Sequence, residues 1–216
     1  SPADLSRLKA VGPRIQQAGA QVCESLGTNP RNCRYDITLV TEPKEQAQVP
    51  NAYADGKTIF MTPAMLASLP RNEETAFVLA HEYAHNVLTH VDKKTMNAII
   101  GMGVGTLADR LLAARGLDTG GRIAQLGSQY AANAYMVDYE READYVGLYT
   151  LEQAGYDVRN AEQVWRRIAV NNPDSIYVQS THPTTAERYV AMQQTAQEIA
   201  MKKRENMPVL PNPAPE

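Results

Sequence analysis

The sequence predicts a mainly helical protein with a small β-sheet in its first third. Three observations lead to this prediction. Apolar residues recur at helical spacing over Asp4–Leu26, two extended stretches follow at Tyr35–Val40 and Ala52–Met61, and a helical pattern runs from Pro70 onward. A chain of 216 residues is long enough to bury one substantial core. We therefore expect a single domain over residues 1–206.

The first third is predicted to hold one helix and the sheet. Gly12-Pro13 predicts a kink or a break in the helix, and Gly27-Thr28-Asn29-Pro30 predicts the turn after it. Apolar and polar residues alternate over Tyr35–Val40, as in a strand with one buried face. Asp55-Gly56 lies within the second extended stretch and predicts a hairpin turn or a bulge.

The remaining two thirds are predicted to be helical. Asn72 is a suitable N-cap with Glu73 and Glu74 in the first turn, and a mostly apolar run then predicts a buried helix through about His90. Three more helices are predicted, over Ser128–Ala154, Asn160–Val170 and Thr184–Lys203.

The segment Thr95–Gly127 is apolar and spotted with glycine. It fits a helical hairpin packed on the core, which is the commoner use of such a segment. It also fits a mobile lid or a surface that touches a membrane, and the sequence leaves these alternatives open.

Composition and the chain ends limit the partners. A net charge of −3 without a basic stripe argues against nucleic acid. No apolar run reaches about 18 residues, so the chain as given predicts no membrane-spanning helix. The chain begins with Ser1 rather than Met, which fits removal of an initiator, a signal peptide or an anchor from a precursor. Residues 207–216 contain four prolines and predict an extended, poorly ordered tail.

The five residues His81-Glu82-Tyr83-Ala84-His85 carry the predicted chemistry. Residues four apart in a helix share one face, so His81 and His85 can present two imidazole nitrogens to one zinc ion. Glu82 is rotated by about 100° from His81 and lies beside that metal, where a general base for a zinc-activated water belongs. Two packed histidines on an ordinary helix are the alternative, because the motif fixes only three positions.

A catalytic zinc site needs a third protein ligand and an open position for water. The best candidate is the sequence Glu140-Arg141-Glu142-Ala143-Asp144, on a predicted helix. Glu140 and Asp144 share a face, while Glu142 points roughly to the opposite side. We assign Glu140 as the ligand and Asp144 as the hydrogen-bond acceptor of a ligand histidine. A solvated acidic helix face is the alternative.

The order of these motifs resembles the HtpX/BepA/CAAX-prenyl-protease type of zinc metallopeptidase. A third motif of that family is matched by Thr181-His182-Pro183 followed by Arg188. Two shorter matches are Asn51-Ala52-Tyr53 before Gly56, and Ala154-Gly155-Tyr156-Asp157 before Trp165. The resemblance spans roughly residues 35–190, so it covers most of the chain.

The resemblance implies an α+β fold of the gluzincin type, with one zinc ion per chain held by His81, His85 and Glu140. The sequence looks more like the soluble, envelope-located members than the integral-membrane ones. It therefore implies a bacterial cell envelope location, periplasmic or membrane-anchored, with any anchor upstream of the chain or membrane contact through residues 95–127. Cys23 and Cys33 fit either a disulfide or two reduced thiols, and such an oxidising location favours the disulfide.

His182 and Arg188 match family positions and are predicted to be catalytic. One hypothesis is that either side chain donates a hydrogen bond to the oxyanion formed on the peptide carbonyl. A second is that His182 moves onto zinc as a fourth ligand and blocks the water. A surface histidine in a loop is the alternative. His90 matches no family position and is interpreted as a cation near a helix C-terminus.

The predicted function is endopeptidase activity on unfolded or misfolded polypeptides, with envelope quality control implied by the resemblance alone. Tyr53, Ala54 and Gly56 are predicted to bind substrate, because an extended polypeptide can pair with an exposed strand edge. The competing hypothesis is a zinc-stabilised binding or chaperone-like module. Glu82 favours the enzyme, because a purely structural zinc site needs no base.

Overall fold

The computed structural model describes residues 1–133, 136–171, 182 and 185–212. Its first third holds the three strands and three helices, in the order α1 (Pro2–Ser25), a 3₁₀ turn (Pro30–Asn32), β1 (Asp36–Leu39), α2 (Lys44–Ala47), β2 (Ala52–Ala54), β3 (Thr58–Met61) and α3 (Pro63–Ser68). The helical remainder comprises α4 (Asn72–Val87), α5 (His90–Ala113), α6 (Arg122–Asn133), α7 (Met136–Gln153), α8 (Glu162–Asn171) and α9 (Ala186–Arg204). The predicted mainly helical α+β architecture with a small sheet is confirmed.

Helix α1 continues through Pro13, so the predicted break does not occur. Its face toward α4 is shaped by Gly19, where an added Cβ would collide with the ring of Tyr83. The Tyr83 hydroxyl donates to the carbonyl of Cys33. Cys33 forms a disulfide with Cys23, which is the alternative that the predicted location favoured.

The sheet has the strand order β1-β3-β2, with β1 parallel to β3 and β2 antiparallel to it. Strands β2 and β3 form the predicted hairpin. Gly56 lies in its turn with φ of 95°, a conformation that glycine adopts without steric cost. Strand β2 is therefore an edge of the described sheet.

The ladder between β2 and β3 determines which peptide groups face outward. The Asn51 carbonyl accepts from the Thr62 N–H, and the Asp55 N–H donates to the Thr58 carbonyl. Hydrogen-bonded pairs alternate along an antiparallel ladder. The peptide groups of residues 52 and 54 consequently point away from β3, toward the open edge.

Helix α4 lies at the centre of the core. Every residue from Glu74 to Val87 is buried, because α1 and α7 both pack against this helix. Gly147 of α7 allows the close approach, since an added Cβ would stand 3.2 Å from the backbone of His81. The helix with the metal-binding motif is thus enclosed by the rest of the fold.

Helices α5 and α6 form a hairpin, as one alternative predicted. They touch through Gly101, Gly105 and Gly127, where an added Cβ would collide with the backbone of the facing helix. Among the described residues of this segment, none belongs to the main hydrophobic core. The glycines form the contact face, so the large apolar side chains point outward and are at least half exposed: Met96, Ile99, Ile100, Met102, Val104, Leu107 and Leu111. Membrane contact through residues 95–127 stays a prediction.

No helix in the described part of the chain is both long and apolar enough to cross a lipid bilayer. The helix predicted over Ser128–Ala154 covers the end of α6 and all of α7, and residues 134–135 between them lie outside the described residues.

The beginning of the proline-rich tail differs from the predicted poorly ordered segment. The Lys202 ammonium donates to the Leu210 carbonyl at 2.6 Å and to Asn212 Oδ1 at 3.0 Å. The Gln153 amide donates to the Val209 carbonyl. These contacts fix residues 207–212 against α7 and α9, while residues 213–216 lie outside the described part. The extent of the domain, residues 1–206, stays a prediction.

Candidate metal centre

Two histidines of α4 and one glutamate of α7 converge in the core. His81 and His85 are buried, and their Nε2 atoms are 3.1 Å apart. Glu140 Oε2 lies 3.2 Å from His81 Nε2, and Glu140 Oε1 lies 3.2 Å from His85 Nε2. The fold therefore brings the three predicted ligands together.

The spacing of these atoms fits a zinc ion. Zinc ligands at about 2.0–2.1 Å in a tetrahedron are separated from one another by about 3.3–3.4 Å. The ligand atoms of His81, His85, Glu140 and His182 all lie within 4.8 Å of one another, and the contacts between them measure 3.0 to 3.4 Å. Imidazole nitrogens with a carboxylate oxygen are a donor set that catalytic zinc uses. The residues present therefore fit the metal.

Asp144 follows Glu140 by one turn and holds His81 from behind. Asp144 Oδ1 is 3.0 Å from His81 Nδ1. The same carboxylate accepts a hydrogen bond from the indole N–H of Trp165 at 3.0 Å. A carboxylate this close to Nδ1 favours the tautomer of His81 with its proton on Nδ1 and leaves its Nε2 for the metal position. Trp165, which had only marked the family resemblance, thus helps to orient this ligand.

Arg188 of α9 lies behind both carboxylates. Its Nε and Nη2 donate to Asp144 at 2.7 and 2.8 Å, and its Nη1 is 3.0 Å from Glu140 Oε2. The side chain has 0% exposure. Buried carboxylates are costly unless they are paired. Arg188 supplies that pairing for Glu140 and Asp144 together.

These contacts determine the charges in the site. Burial favours a neutral Glu140, but the charges of His182 and Arg188 outweigh it and hold the pKa of Glu140 well below its usual range. Burial likewise raises the pKa of Asp144, but the charge of Arg188 outweighs this effect and lowers that pKa to about 2. Burial opposes protonation of His81, yet Asp144 and Glu140 raise its pKa to about 9. A zinc ion therefore competes with a proton for His81 Nε2.

His182 faces the cluster from the cleft side. Its Nδ1 is 3.0 Å from Glu140 Oε2 and 3.4 Å from His81 Nε2. Its Nε2 is 3.1 Å from the carbonyl of Ala52 and 3.3 Å from Glu82 Oε1. With its proton on Nε2, His182 donates to Ala52 and presents the Nδ1 lone pair to the metal position.

Glu82 stands beside the ligands with a side chain that is 1% exposed. Its two carboxylate oxygens accept no hydrogen bond within the described part of the chain. A buried carboxylate without donors is costly for folding and calls for a functional explanation. The arrangement leaves this carboxylate available to a reacting water or substrate.

A cleft of about 230 Å³ opens beside Glu82 and His85, and the predicted substrate residues Tyr53 and Ala54 line it. Gly56 instead lies in the hairpin turn, where its N–H donates to Asn86 Oδ1 at 2.7 Å. A substrate-binding role for these residues stays a prediction. The sequence did not predict the role of the Ala52 carbonyl, which contacts His182, because the direction of that carbonyl depends on the strand register.

The interpretation of His90 as a cation near a helix C-terminus is wrong. Helix α4 ends at Val87, and His90 is the buried first residue of α5. Its Nδ1 lies 2.9 Å from Nδ1 of His85, and burial lowers its pKa. Thr89 between the helices has φ of 54°, in the left-handed region. That chain reversal turns His90 back toward the ligand, which no spacing rule would reveal.

Taken together, the helical core, the His81–Glu82–His85 motif and the Glu140 carboxylate from α7 have the arrangement of a metallopeptidase. The match to the model of peptidase family M48 covers residues 10–196, and the chain belongs to this family.

Two curated relatives are similar to this chain. It is 26% identical over 175 residues to the mitochondrial metalloendopeptidase OMA1 of Schizosaccharomyces pombe, covering 79% of this chain and 49% of that protein. It is 25% identical over 163 residues to the mitochondrial metalloendopeptidase OMA1 of Saccharomyces cerevisiae, covering 72% of this chain and 45% of that protein. The chain thus spans about half the length of these relatives.

The names of these relatives correct one expectation. The family resemblance implied a location in the bacterial cell envelope, whereas both curated relatives are mitochondrial by name. The predicted location is therefore wrong. It rested on the lack of spanning helices, and this feature is compatible with several compartments.

Proposed function

We propose that this chain hydrolyses exposed segments of unfolded polypeptide, using one zinc ion on His81, His85 and Glu140 and Glu82 as the general base. The observation that carries the proposal is the cluster of ligand atoms, which lies directly beside the buried carboxylate of Glu82, whose oxygens accept no hydrogen bond from the described residues. A binding module would need the metal ligands but would gain nothing from burying Glu82 without a donor.

The chain's own residues have distinct roles in this reaction. When bound, zinc supplies the Lewis acid that activates a water for attack on the peptide carbonyl. Glu82 accepts the proton of the attacking water and passes it to the leaving amine. Asp144 keeps His81 in the tautomer that leaves Nε2 free for the metal.

Arg188 is better suited to position the ligand carboxylates than to bind an oxyanion. Its guanidinium contacts both Asp144 and Glu140 and has no exposed surface. We therefore assign it to holding Glu140 in place. Of the two predicted donors, His182 is the one that faces the cleft.

The substrate is proposed to bind as an extra strand beside β2. The peptide groups of Ala52 and Ala54 face the open edge, and the edge borders the cleft with Glu82. Pairing through the backbone requires an extended segment but little side-chain identity. Unfolded polypeptide supplies such segments, and folded proteins rarely expose them.

His182 is proposed to act as a gate. With Nδ1 at the fourth ligand position and Nε2 on the Ala52 carbonyl, it stands where both a water and a substrate strand would bind. A zinc ion with four protein ligands has no open position. Substrate entry would therefore require His182 to move away.

A metal-exchange experiment tests the proposed function. The purified chain is expected to hold about one zinc ion and to cleave labelled, unfolded casein at internal bonds. Removal of zinc by a chelator should abolish cleavage, and added zinc should restore it. A compactly folded protein serves as the control substrate. Stoichiometric zinc without any cleavage would support the binding-module hypothesis instead.

Replacement of His182 by Ala is expected to raise the rate of casein cleavage. A gate that is closed about 90% of the time lowers the apparent rate about tenfold, so its removal should recover a gain of that order. Initial rates at saturating zinc measure the effect. A loss of about 10²- to 10³-fold would instead identify His182 as an oxyanion donor. An unchanged rate would contradict both roles.

A further inference from the structure

His85 is supported on its far side by a second histidine. Its Nε2 belongs to the ligand cluster, while its Nδ1 lies 2.9 Å from Nδ1 of His90. The other ring nitrogen of His90, Nε2, lies 3.0 Å from Glu142 Oε2. These contacts form a continuous line from the proposed metal position to Glu142, whose side chain is 50% exposed.

The proton positions along this line follow from the metal site. A zinc ligand must present its lone pair at Nε2, so the proton of a neutral His85 is on Nδ1. That N–H donates to Nδ1 of His90, which must then be unprotonated. The proton of His90 is consequently on Nε2 and donates to the Glu142 carboxylate. Each of the three groups has one compatible role.

The two ligand histidines are therefore held in different ways. His81 has a carboxylate directly behind it, with Asp144 Oδ1 3.0 Å from its Nδ1. Glu142 is two residues away from both Glu140 and Asp144, so its side chain leaves the helix on a different face from theirs. It reaches the metal site only because His90 stands between Glu142 and His85.

The surroundings of His90 hold its ring in this orientation. The ring is buried and stacks on Tyr139, with 4.7 Å between centroids and 20° between planes. The left-handed Thr89 directly before it is unusual for a β-branched residue. A conformation with this steric cost is maintained when the surrounding structure requires it.

We propose that His90 and Glu142 are positioning residues of the metal site, which fix the Nδ1–H tautomer of His85 and strengthen its bond to zinc. The proposal rests on the proposed zinc site. Groups that hold a metal-ligating histidine from behind typically contribute about 10- to 100-fold to metal affinity.

The test compares zinc affinity in matched variants by competition with a chromophoric chelator. His90→Leu removes both hydrogen bonds and is expected to weaken zinc binding about 10- to 100-fold. His90→Gln should recover most of this loss, because its amide oxygen can accept from His85 and its NH₂ can donate to Glu142. Glu142→Gln should cause a smaller loss, about 3- to 10-fold. Asp138→Asn, an exposed carboxylate change on the same helix, should have no effect.

Two outcomes separate failure of this proposal from failure of the zinc site. If the parent chain binds no stoichiometric zinc, the metal site and the positioning role are both wrong. If the parent binds zinc while His90→Leu and Glu142→Gln retain its affinity, only the positioning role is wrong. Should His90→Leu fail to fold, two other measurements still test the positioning role. One is the zinc affinity of Glu142→Gln, a variant of a half-exposed side chain. The other is the ¹⁵N spectrum of the zinc-loaded parent, which must show His85 protonated at Nδ1 and His90 protonated at Nε2.

Discussion

Replacing Glu82 by Gln is expected to lower kcat/KM for unfolded casein by about 10²- to 10⁴-fold, the usual contribution of a general base. The amide has the size and shape of the carboxylate but cannot accept the proton of the attacking water. Because Glu82 is not among the clustered ligand atoms, the variant should still bind one zinc ion. Cleavage rates and zinc content are both measured on the same preparation.

The matched control for this variant is Glu73→Gln. Glu73 lies on the same helix but is exposed in its first turn, so the same chemical change there should leave cleavage and zinc content unaltered. A Glu82→Gln enzyme with parental turnover would show that another group accepts the proton. Loss of zinc from that variant would show instead that Glu82 supports the metal.

The second large effect is expected from Glu140→Gln, which should weaken zinc binding on the order of 10²- to 10³-fold. A zinc site with four protein ligands binds with about 10–16 kcal/mol, so one ligand carries roughly 3–4 kcal/mol. Gln keeps the size of the side chain and can still accept from Arg188, but it lacks the charge that attracts the ion. Competition with a chelator measures the affinity, and cleavage at limiting zinc should fall in parallel.

Asp138→Asn is the control for Glu140→Gln, because it removes a carboxylate from the same helix where the side chain is 61% exposed. Thermal unfolding of both zinc-depleted variants separates loss of the ligand from loss of the fold. Parental zinc affinity in Glu140→Gln would exclude Glu140 as a ligand.

Packed helices supply the residues of the proposed zinc site. Helix α4 is enclosed by α1 and α7, and the proposed glutamate ligand and the residues in contact with it come from α7 and α9. The proposed general base and the three proposed zinc ligands are therefore held by packed helices rather than by loops. Such packing preorganises the site, since side chains in a dense core have few alternative rotamers.

Several features could be predicted from the sequence because they depend on neighbours along the chain. Helical spacing alone places His81 and His85 on one face with Glu82 beside them, and places Glu140 and Asp144 together on another helix. Alternation and the Asp55-Gly56 pair predict the hairpin. These rules act over a few residues, so no knowledge of packing is needed.

Other features depended on how distant segments meet. The sequence could not show that α7 approaches α4 at Gly147, which decides that Glu140 and Asp144 face the histidines rather than solvent. Nor could it show that the bulky face of α5 points outward, because that direction depends on which glycines touch α6.

The sequence by itself thus determined the class of chemistry, through the ligand types and their helical spacing. The tertiary structure alone decided which groups contact the proposed ligands and Asp144: Trp165 and Arg188 lie behind Asp144, and His90 with Glu142 lies behind His85. The physical reason is that hydrogen-bond partners of a buried group are chosen by distance and direction in space. Residues far apart in the chain reach the distance and direction that a hydrogen bond needs only when the helices pack.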